Sequence, residues 1–367
     1  MDRRQFVTAL GASGFWLAQG APALPYDRWV LIDALASPQS FNIPWPPQYQ
    51  GLTEEQRTSI RESGMTAINL TVNAATVEET VGNIAFWMGE VERHPDLLTV
   101  VRQAKDIAAA KESHRLGLMF GFQGTDVIEG DINRLTLFRR LGVRIMQLTY
   151  NTRSLVGDGC LEPGNAGLST FGRSVVARMN ELGIAVDLGH CGMQTCLDTI
   201  AVSKKPVLIT HSGCRTIYNH PRNKTDEVLK ALAARNGVIG IYLMPFLGGG
   251  TDGTGSGAAT KELLLRHIDH AVKLCGVDRV GIGSDQSITP IRETPEYLAE
   301  WQRFSKVRQS AGAAAPGEDR PLYIAELNTP RRLESIGDAL LGRGYKEDDV
   351  RKILGGNFQT ALQGIWS

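Results

Sequence analysis

Apolar and polar positions occur in blocks along the chain, with short apolar runs followed by longer stretches that have helical spacing. Eight of the runs have the length and hydrophobicity of strands buried on both faces. These runs are WVLIDAL, TAINLTV, LGLMFGF, VRIMQLTY, IAVDLG, PVLITH, GVIGIYL and RVGIGSD. Because buried strands that alternate with helices form parallel sheets, the pattern predicts an α/β fold. Eight strands favour a closed (β/α)8 TIM barrel over an open sheet.

Helical spacing fills most of the stretches between these runs. The predicted helices are Val77–Glu92, Leu97–Arg115, Phe171–Leu182, Met193–Ser203, Asp226–Arg235 and Lys261–Cys275. No G-x-G-x-x-G motif follows the first apolar run, which removes the sequence support for a dinucleotide-binding fold. The C-terminal stretch predicts two closing helices.

Two irregular regions interrupt this alternation. Gly248–Gly257 is rich in glycine and predicts a loop after the seventh strand, either a plain linker or a lid over the site. Thr289–Pro321 follows the eighth strand, and we expect it to cover part of the barrel mouth.

Charge and cysteine content exclude several classes of function. Lys and Arg number 39 and Asp and Glu also number 39, so the net charge of zero gives no basic surface for nucleic acid or for a membrane. Five scattered cysteines are too few for a disulfide framework.

The N-terminal residues resemble an export signal. Arg3 and Arg4 are followed by a modestly apolar run and then by an A-x-A pattern at residues 21–23. We predict a twin-arginine signal over residues 1–23, a single mature domain over residues 24–367 and a periplasmic location. The apolar run is too short for a good membrane span, so no span is expected after removal of the signal. The alternative is a short helix with a basic start.

Histidines follow two successive predicted strands, which is unusual for residues of purely structural role. His190 ends VDLGH and His211 ends LITH, so in a barrel both lie at the carboxyl edge, where active sites form. Asp285 closes the eighth strand as a candidate general acid or base, and Arg222 lies on the loop after His211 as a candidate carboxylate receptor. Each residue also has an ordinary structural interpretation. The histidines could be hydrogen-bonded core residues, Asp285 could be a helix N-cap and Arg222 could form a surface ion pair.

Several motifs from about Gly142 to the C-terminus resemble the membrane dipeptidase (renal dipeptidase-like) family of metallopeptidases. They are FGRSVVARMNELGIAVDLGHCGMQT, KKPVLITHSGCRTIYNHPRNKTDEVLKALAARNGVIGIYLMPFL, RVGIGSD and LGGNFQTAL. The resemblance implies a (β/α)8 barrel with a two-zinc site at the strand ends and hydrolysis of dipeptides. It implies that His190 and His211 bind one zinc, that Arg222 binds the substrate carboxylate and that Asp285 moves the proton.

The first half of the chain departs from the family pattern. Leu35 and Ser37 occupy the positions where the resemblance implies a histidine and an aspartate that bind the other zinc. Gln123 occupies the position of the glutamate that bridges the two zinc ions. Tyr150 replaces a histidine that contacts substrate, and we expect it to donate to the developing oxyanion. These replacements predict one Zn²⁺ per chain, with the second zinc position lost. The candidate ligands are His190, His211 and Gln123, and Asp285 or water is the alternative to Gln123 as the third.

Three hypotheses for function follow. The first is a metal-dependent hydrolase that cleaves dipeptides or related small amides. The second is a non-peptidase amide or lactone hydrolase, or a lyase, on the same barrel. The third is a metal-poor pseudoenzyme that acts as a binding protein. Cys160 and Glu162, in the loop after the fourth strand, are candidate replacement ligands or part of an ordinary turn. Family members often form homodimers, but no segment of this chain identifies an interface.

Overall fold

Eight parallel strands form the centre of the molecule, one at each of the eight apolar runs. The computed structural model describes residues 24–39, 51–249, 258–319 and 322–367. Three short strands add to the eight. In chain order the strands are β1 (Ile32–Asp33), β2 (Ala36–Ser37), β3 (Ala67–Thr71), β4 (Leu98–Val100), β5 (Leu116–Phe122), β6 (Val143–Gln147), β7 (Ala185–Asp187), β8 (Leu208–Ser212), β9 (Val238–Ile241), β10 (Val280–Ile282) and β11 (Gln286–Ser287).

The strand order shows how the sheet closes. Parallel pairing runs β1–β3–β5–β6–β7–β8–β9–β10, and β4 pairs with β5 at the side. The first and last strands meet where the Ala34 amide donates to the Ile282 carbonyl at 2.9 Å, and β2 pairs with β11 just beyond. A Cβ added at Gly283 would overlap the Thr210 carbonyl oxygen, so this part of the wall requires a glycine. The predicted (β/α)8 barrel is confirmed.

Helices surround the barrel, and five of the six predicted ones begin within one residue of the predicted start. In most of these five, a Thr or Ser before the first turn accepts a hydrogen bond from a backbone N–H of that turn, which fixes where the helix begins. The helices are α1 (Glu54–Ser63), α2 (Val77–Arg93), α3 (Ala104–Glu112), α4 (Arg134–Arg140), α5 (Thr170–Leu182), α6 (Met193–Val202), α7 (Asp226–Ala234), α8 (Lys261–Cys275), α9 (Pro295–Ser310), α10 (Arg332–Gly342), α11 (Glu347–Arg351) and α12 (Asn357–Trp366).

The prediction of one helix over Leu97–Arg115 is wrong in its first part. Strand β4 pairs there in parallel with β5, and the helix begins only at α3. The Asp106 carboxylate accepts the backbone N–H groups of Arg102 and Gln103, at 2.8 and 3.1 Å. This contact stabilises the turn between strand and helix, which apolar spacing alone does not indicate.

A cap segment, residues 295–319, lies over the carboxyl ends of the strands. It consists of α9 and the irregular chain that follows it, within the region expected to cover the barrel mouth. Two hydrogen bonds attach it to the barrel loops: Asn151 Nδ2 donates to the Ala313 carbonyl at 2.8 Å, and His220 Nε2 donates to the Pro316 carbonyl at 2.9 Å. The cap segment therefore forms the roof of any site at the strand ends.

Some predictions concern residues outside the described ranges. They are the export signal over residues 1–23 and most of the Gly248–Gly257 loop, of which residues 250–257 are not described. Within the described ranges, no helix combines the length and the apolar character that crossing a bilayer requires.

Candidate active site

A small cavity lies between the carboxyl ends of the strands and the cap segment. Its volume is about 20 Å³. The side chains around it come from the loops after six strands, from the cap segment and from Leu322 just beyond it. The lining residues are Gln123, Tyr150, His190, Arg222, Met244, Phe246, Asp285, Phe304, Arg308, Glu318 and Leu322. Five of the six predicted site residues thus line one cavity, and the sixth, His211, lies directly beside His190.

The two strand-end histidines face each other at the edge of this cavity. Their ring centroids are 4.9 Å apart, with an angle of 60° between the ring planes. His190 is 4% exposed and His211 is fully buried. Burial, and next the nearby Arg222 guanidinium, hold the pKa of both imidazoles well below the usual value. Both rings are therefore neutral at pH 7, which is the state that binds a metal ion.

Asn151 fixes the orientation of the His190 ring. Its Nδ2 donates to the Ala313 carbonyl, so its Oδ1 is the atom that lies 2.6 Å from His190 Nδ1. Since this oxygen only accepts, the proton of the neutral imidazole is on Nδ1 and the lone pair is on Nε2. Asn151 is not among the site residues predicted from the sequence, although it directly follows Tyr150. Its role depends on a contact with the cap segment, which lies far away along the chain.

A second pair of residues fixes His211 in the same tautomer. The Thr210 hydroxyl donates to the Asp187 carboxylate at 2.7 Å, so it accepts from His211 Nδ1, which lies 2.8 Å away. The carboxylate also accepts the backbone N–H groups of Thr210 and Gly189. Nε2 of His211 is buried and has no hydrogen-bond partner in the described part of the protein. An unpartnered buried lone pair is costly unless a ligand satisfies it.

The separation of the two rings matches that of imidazoles which share one metal ion. Two imidazoles that share a tetrahedral ion at about 2.0–2.1 Å per nitrogen have ring centroids roughly 5 Å apart. The observed separation is 4.9 Å, and in both rings Nδ1 is already engaged by a neighbouring side chain. Such outer contacts are typical of metal-binding histidines. The donor set is incomplete, however, because the described residues contain no group of three His, Cys, Asp or Glu side chains that could hold an ion.

The residues at the first strand do not fit a second ion. Leu35 is 1% exposed and carries no donor atom, and the Ser37 hydroxyl accepts the Gln39 amide at 3.2 Å. Asp33, which precedes them, is buried against Arg332 at 3.4 Å and accepts the Ser284 amide at 2.7 Å. This carboxylate therefore holds the closing strands together and is not available as a ligand.

Gln123 lines the cavity with a neutral amide. Its Nε2 donates to the Thr71 hydroxyl at 2.8 Å, which leaves Oε1 as the side-chain atom with ligand character. Cys160 and Glu162, the candidate replacement ligands, do not line the cavity. Cys160 Sγ contacts Asn151 Oδ1 at 3.4 Å, and Glu162 lies 3.5 Å from Arg153.

Arg222 brings a positive charge to the cavity, close to the two histidines. The side chain is 1% exposed, and its guanidinium carbon lies 5.9 Å from the Tyr242 ring centre. Nη1 donates to the Gly189 carbonyl at 3.1 Å, while buried Nη2 has no partner among the described residues. A planar cation with an unused donor at a cavity is well suited to a carboxylate.

Asp285 lies in the same cavity with an unusual backbone and an unusual pKa. Its φ is +59°, a conformation that residues with a side chain rarely adopt outside functional sites and turns. Burial raises the pKa of its carboxyl to about 7, although Arg222 opposes the shift. A carboxyl with this pKa gives up and takes back a proton near neutral pH.

Tyr150 connects the histidines to the cap segment. Its ring stacks on His190 with a centroid distance of 4.1 Å, and burial raises the pKa of its phenol, which keeps it a neutral donor. The Arg308 guanidinium lies over the same ring at 5.4 Å and forms two hydrogen bonds with Glu318, at 2.8 and 3.1 Å. Neither charged residue was predicted as part of the site, because their segment has no strand or motif that indicates its position.

Known proteins match this chain both through a family model and through individual sequences. The model of the family described as membrane dipeptidase, peptidase family M19, matches residues 42–307. A dipeptidase of Clonostachys rogersoniana, verJ, is 29% identical over 277 residues, which are 75% of this chain and 62% of that protein. The chain spans about three fifths of the length of the curated relatives it matches.

Solved structures share the fold over almost the whole chain. The crystal structure of an amidohydrolase from Pseudomonas aeruginosa is 30% identical with a TM-score of 0.77, and the match covers 93% of this chain and 98% of that one. A metallo peptidase from Rhodobacter sphaeroides, liganded with a phosphinate mimic of the dipeptide L-Ala-D-Ala, has a TM-score of 0.71. Its identity of 19%, over 92% of this chain and 99% of that one, supports the fold alone.

Proposed function

Because the chain belongs to the membrane dipeptidase family, peptidase family M19, we propose that it hydrolyses dipeptides or related small amides with the help of one bound zinc ion. One observation carries this proposal. A neutral histidine, an arginine with an unused donor and a carboxyl with a pKa of about 7 line the same cavity, and the unpartnered Nε2 of His211 lies beside it.

His190 and His211 would hold the ion through Nε2, with the amide oxygen of Gln123 as a third donor. When bound there, zinc would supply Lewis-acid activation of the attacking water and of the scissile carbonyl. The other steps fall to residues of the chain. Arg222 binds the substrate carboxylate, and the neutral phenol of Tyr150 donates a hydrogen bond to the oxygen on which negative charge develops.

Asp285 moves the proton. It takes one from the attacking water as the water oxygen bonds to the carbonyl carbon. It then gives this proton to the amide nitrogen, the carbon–nitrogen bond breaks, and a free amine leaves.

The direct test measures metal content and dipeptide hydrolysis on protein purified without chelators. We expect about one zinc equivalent per chain by plasma mass spectrometry, and release of free amino acids from dipeptides. Replacing both histidines, His190→Ala with His211→Ala, should abolish metal binding and hydrolysis, while His114→Asn on the surface should change neither. Protein that takes up no zinc and cleaves no dipeptide would instead be a binding protein.

Removing the Asn151 side-chain amide should weaken zinc binding. In Asn151→Leu, nothing holds the proton on His190 Nδ1, and loss of such an outer contact typically costs about 10–100-fold in metal affinity. Zinc titration calorimetry measures the change. Asn357→Leu is the matched control, because Asn357 is also buried and donates to two backbone carbonyls, but far from the site. An equal zinc affinity in both variants would contradict the role of Asn151.

Restoring a carboxylate at position 123 should strengthen zinc binding. A glutamate there would accept a hydrogen bond from the Thr71 hydroxyl, so Gln123→Glu leaves no polar atom unpaired. We expect about tenfold tighter binding or more, because a unit charge about 4 Å from a cation contributes roughly 1–4 kcal/mol. Gln103→Glu, on the surface before α3, controls for the added charge. Unchanged affinity would exclude Gln123 as a ligand.

We also propose that residues 1–23 direct export to the periplasm through the twin-arginine pathway, leaving residues 24–367 as the mature domain. Replacing the arginine pair, Arg3→Lys with Arg4→Lys, should leave the full-length protein in the cytoplasmic fraction of a bacterial host. Fractionation followed by mass spectrometry of the N-terminus gives the result. Equal export of both versions would contradict the proposal.

A further inference from the structure

The cavity at the candidate active site is too small for its proposed substrate. Its volume of about 20 Å³ has room for roughly one water molecule. Sites for small-molecule ligands typically need about 300 Å³ or more. Part of the wall must therefore move before a dipeptide binds, and the substrate must extend into space that lies outside this cavity.

A larger cavity adjoins it. This aromatic cavity has a volume of about 400 Å³. Its lining residues are Tyr218, His220, Pro245, Phe246, Pro316, Gly317 and Asp319. Phe246 lines both cavities, and Glu318 of the small cavity lies between Gly317 and Asp319 of the larger one. The wall between them thus consists of the Phe246 ring and the end of the cap segment.

Three rings of the aromatic cavity are nearly parallel. His220 stacks on Phe246 with a centroid distance of 4.5 Å and an angle of 7°, and Tyr218 lies 6.2 Å from His220 at 11°. Such a row favours another flat, apolar group over an aliphatic one, since offset stacking adds to the burial of apolar area. The carboxylate of Asp319 at the rim disfavours an anionic group.

Among the described residues, the cap segment next to this wall is attached to the barrel by hydrogen bonds from Asn151 and His220 and by the packing of Arg308 over Tyr150. Pro316 is exposed, and its carbonyl accepts the hydrogen bond from His220 Nε2. Arg308 and Glu318 bond mainly within the cap segment itself. A short surface segment that depends on a few polar contacts opens at low cost, as lids over active sites do.

We propose that the aromatic cavity is the second half of the substrate site and receives an aromatic side chain of the dipeptide whose carboxylate contacts Arg222. This inference rests on the proposed function. It defines the substrate class more narrowly, as dipeptides with one aromatic residue, and it assigns Tyr218 and Phe246 as specificity-determining residues.

Calorimetric binding of four dipeptides tests the inference. The probes are phenylalanyl-alanine, leucyl-alanine, alanyl-phenylalanine and alanyl-leucine, and an Asp285→Asn background prevents turnover during the titration. At one of the two positions, phenylalanine should bind about threefold to tenfold more tightly than leucine. Adding Tyr218→Leu should bring this ratio close to one. Phe171→Leu, which replaces a half-buried aromatic residue outside both cavities, should leave the ratio unchanged.

Each result decides one question. A ratio near one at both positions, a ratio that survives Tyr218→Leu, or no binding of any of the four dipeptides would overturn the inference. The proposed function is tested separately, by hydrolysis of the same dipeptides in the chain with Asp285 intact. Aromatic preference in binding without any hydrolysis would keep the aromatic cavity as a binding site and remove the dipeptidase activity.

Discussion

Asp285→Asn should lower kcat/KM for dipeptides by about 10²–10⁴-fold while the protein stays folded. The asparagine keeps the shape of the side chain and, among residues with a side chain, adopts positive φ values most readily, so it suits the φ of +59°. It cannot take a proton from the attacking water. The loss should therefore appear in kcat as well as in kcat/KM, because the missing interaction exists only in the transition state.

The pH dependence of kcat/KM should show the titration of the Asp285 carboxyl. Burial raises the pKa of Asp285 to about 7, and only the deprotonated form acts as a base. kcat/KM should therefore rise with pH and level off at or below about pH 7, because a bound zinc ion would lower this pKa. The residual activity of Asp285→Asn should lack this rise. Asp198→Asn serves as control, because Asp198 lies on α6 and accepts the Leu168 amide at 3.0 Å, away from the cavity. A rise near pH 7 that persists in Asp285→Asn would assign the proton transfer to another group.

The sequence was most informative about the strands. Parallel strands covered by helices on both faces need apolar residues at every position, so LGLMFGF and PVLITH are visible without any tertiary information. Histidine, arginine and aspartate placed after such runs are brought together by the barrel, because all parallel strands end at the same rim. The position of the small cavity thus follows from the order of the strands.

The features that could not be predicted from the sequence depend on contacts between residues far apart in the chain. Asn151 meets the Ala313 carbonyl across 162 positions of the chain, and nothing near either residue indicates the contact. The same holds for Arg308 and Glu318, which lie in a segment without apolar periodicity and whose place is set by packing over the strand ends. Strand β4 was missed for a related reason, since its three residues are recognisable only through their pairing with β5.

Two positive and two negative side chains line the small cavity. The negative charges are Asp285 and Glu318, while Arg222 and Arg308 are positive. Glu318 is already paired with Arg308. With a zinc ion added, the cavity carries a net positive charge, which attracts the carboxylate of a dipeptide and increases the importance of Arg222 for its placement.

Replacing Arg222 should therefore strongly weaken substrate binding. In Arg222→Met a long unbranched side chain remains, but it has no donor for the carboxylate. Loss of one partner of a buried charge pair costs about 2–5 kcal/mol, so kcat/KM should fall by about a hundredfold or more. The change should appear mainly in KM, because the carboxylate contact is made equally in the ground state and in the transition state. Steady-state kinetics on one dipeptide measures both constants.

The same contact can be removed from the substrate side, by using a dipeptide without its carboxylate. A dipeptide amide lacks the carboxylate, so the protein with Arg222 should discriminate strongly between the acid and the amide, while Arg222→Met should treat them nearly alike. Arg222→Lys retains the charge without the two-pronged geometry and should lie in between. Thermal melting shows whether the loss of the Gly189 contact has unfolded the variant. An unchanged KM in folded Arg222→Met, or an equal loss for acid and amide, would mean that the carboxylate binds elsewhere. A dipeptide that places an aromatic ring against Tyr218, His220 and Phe246 would then have to bind with its carboxylate pointing away from Arg222.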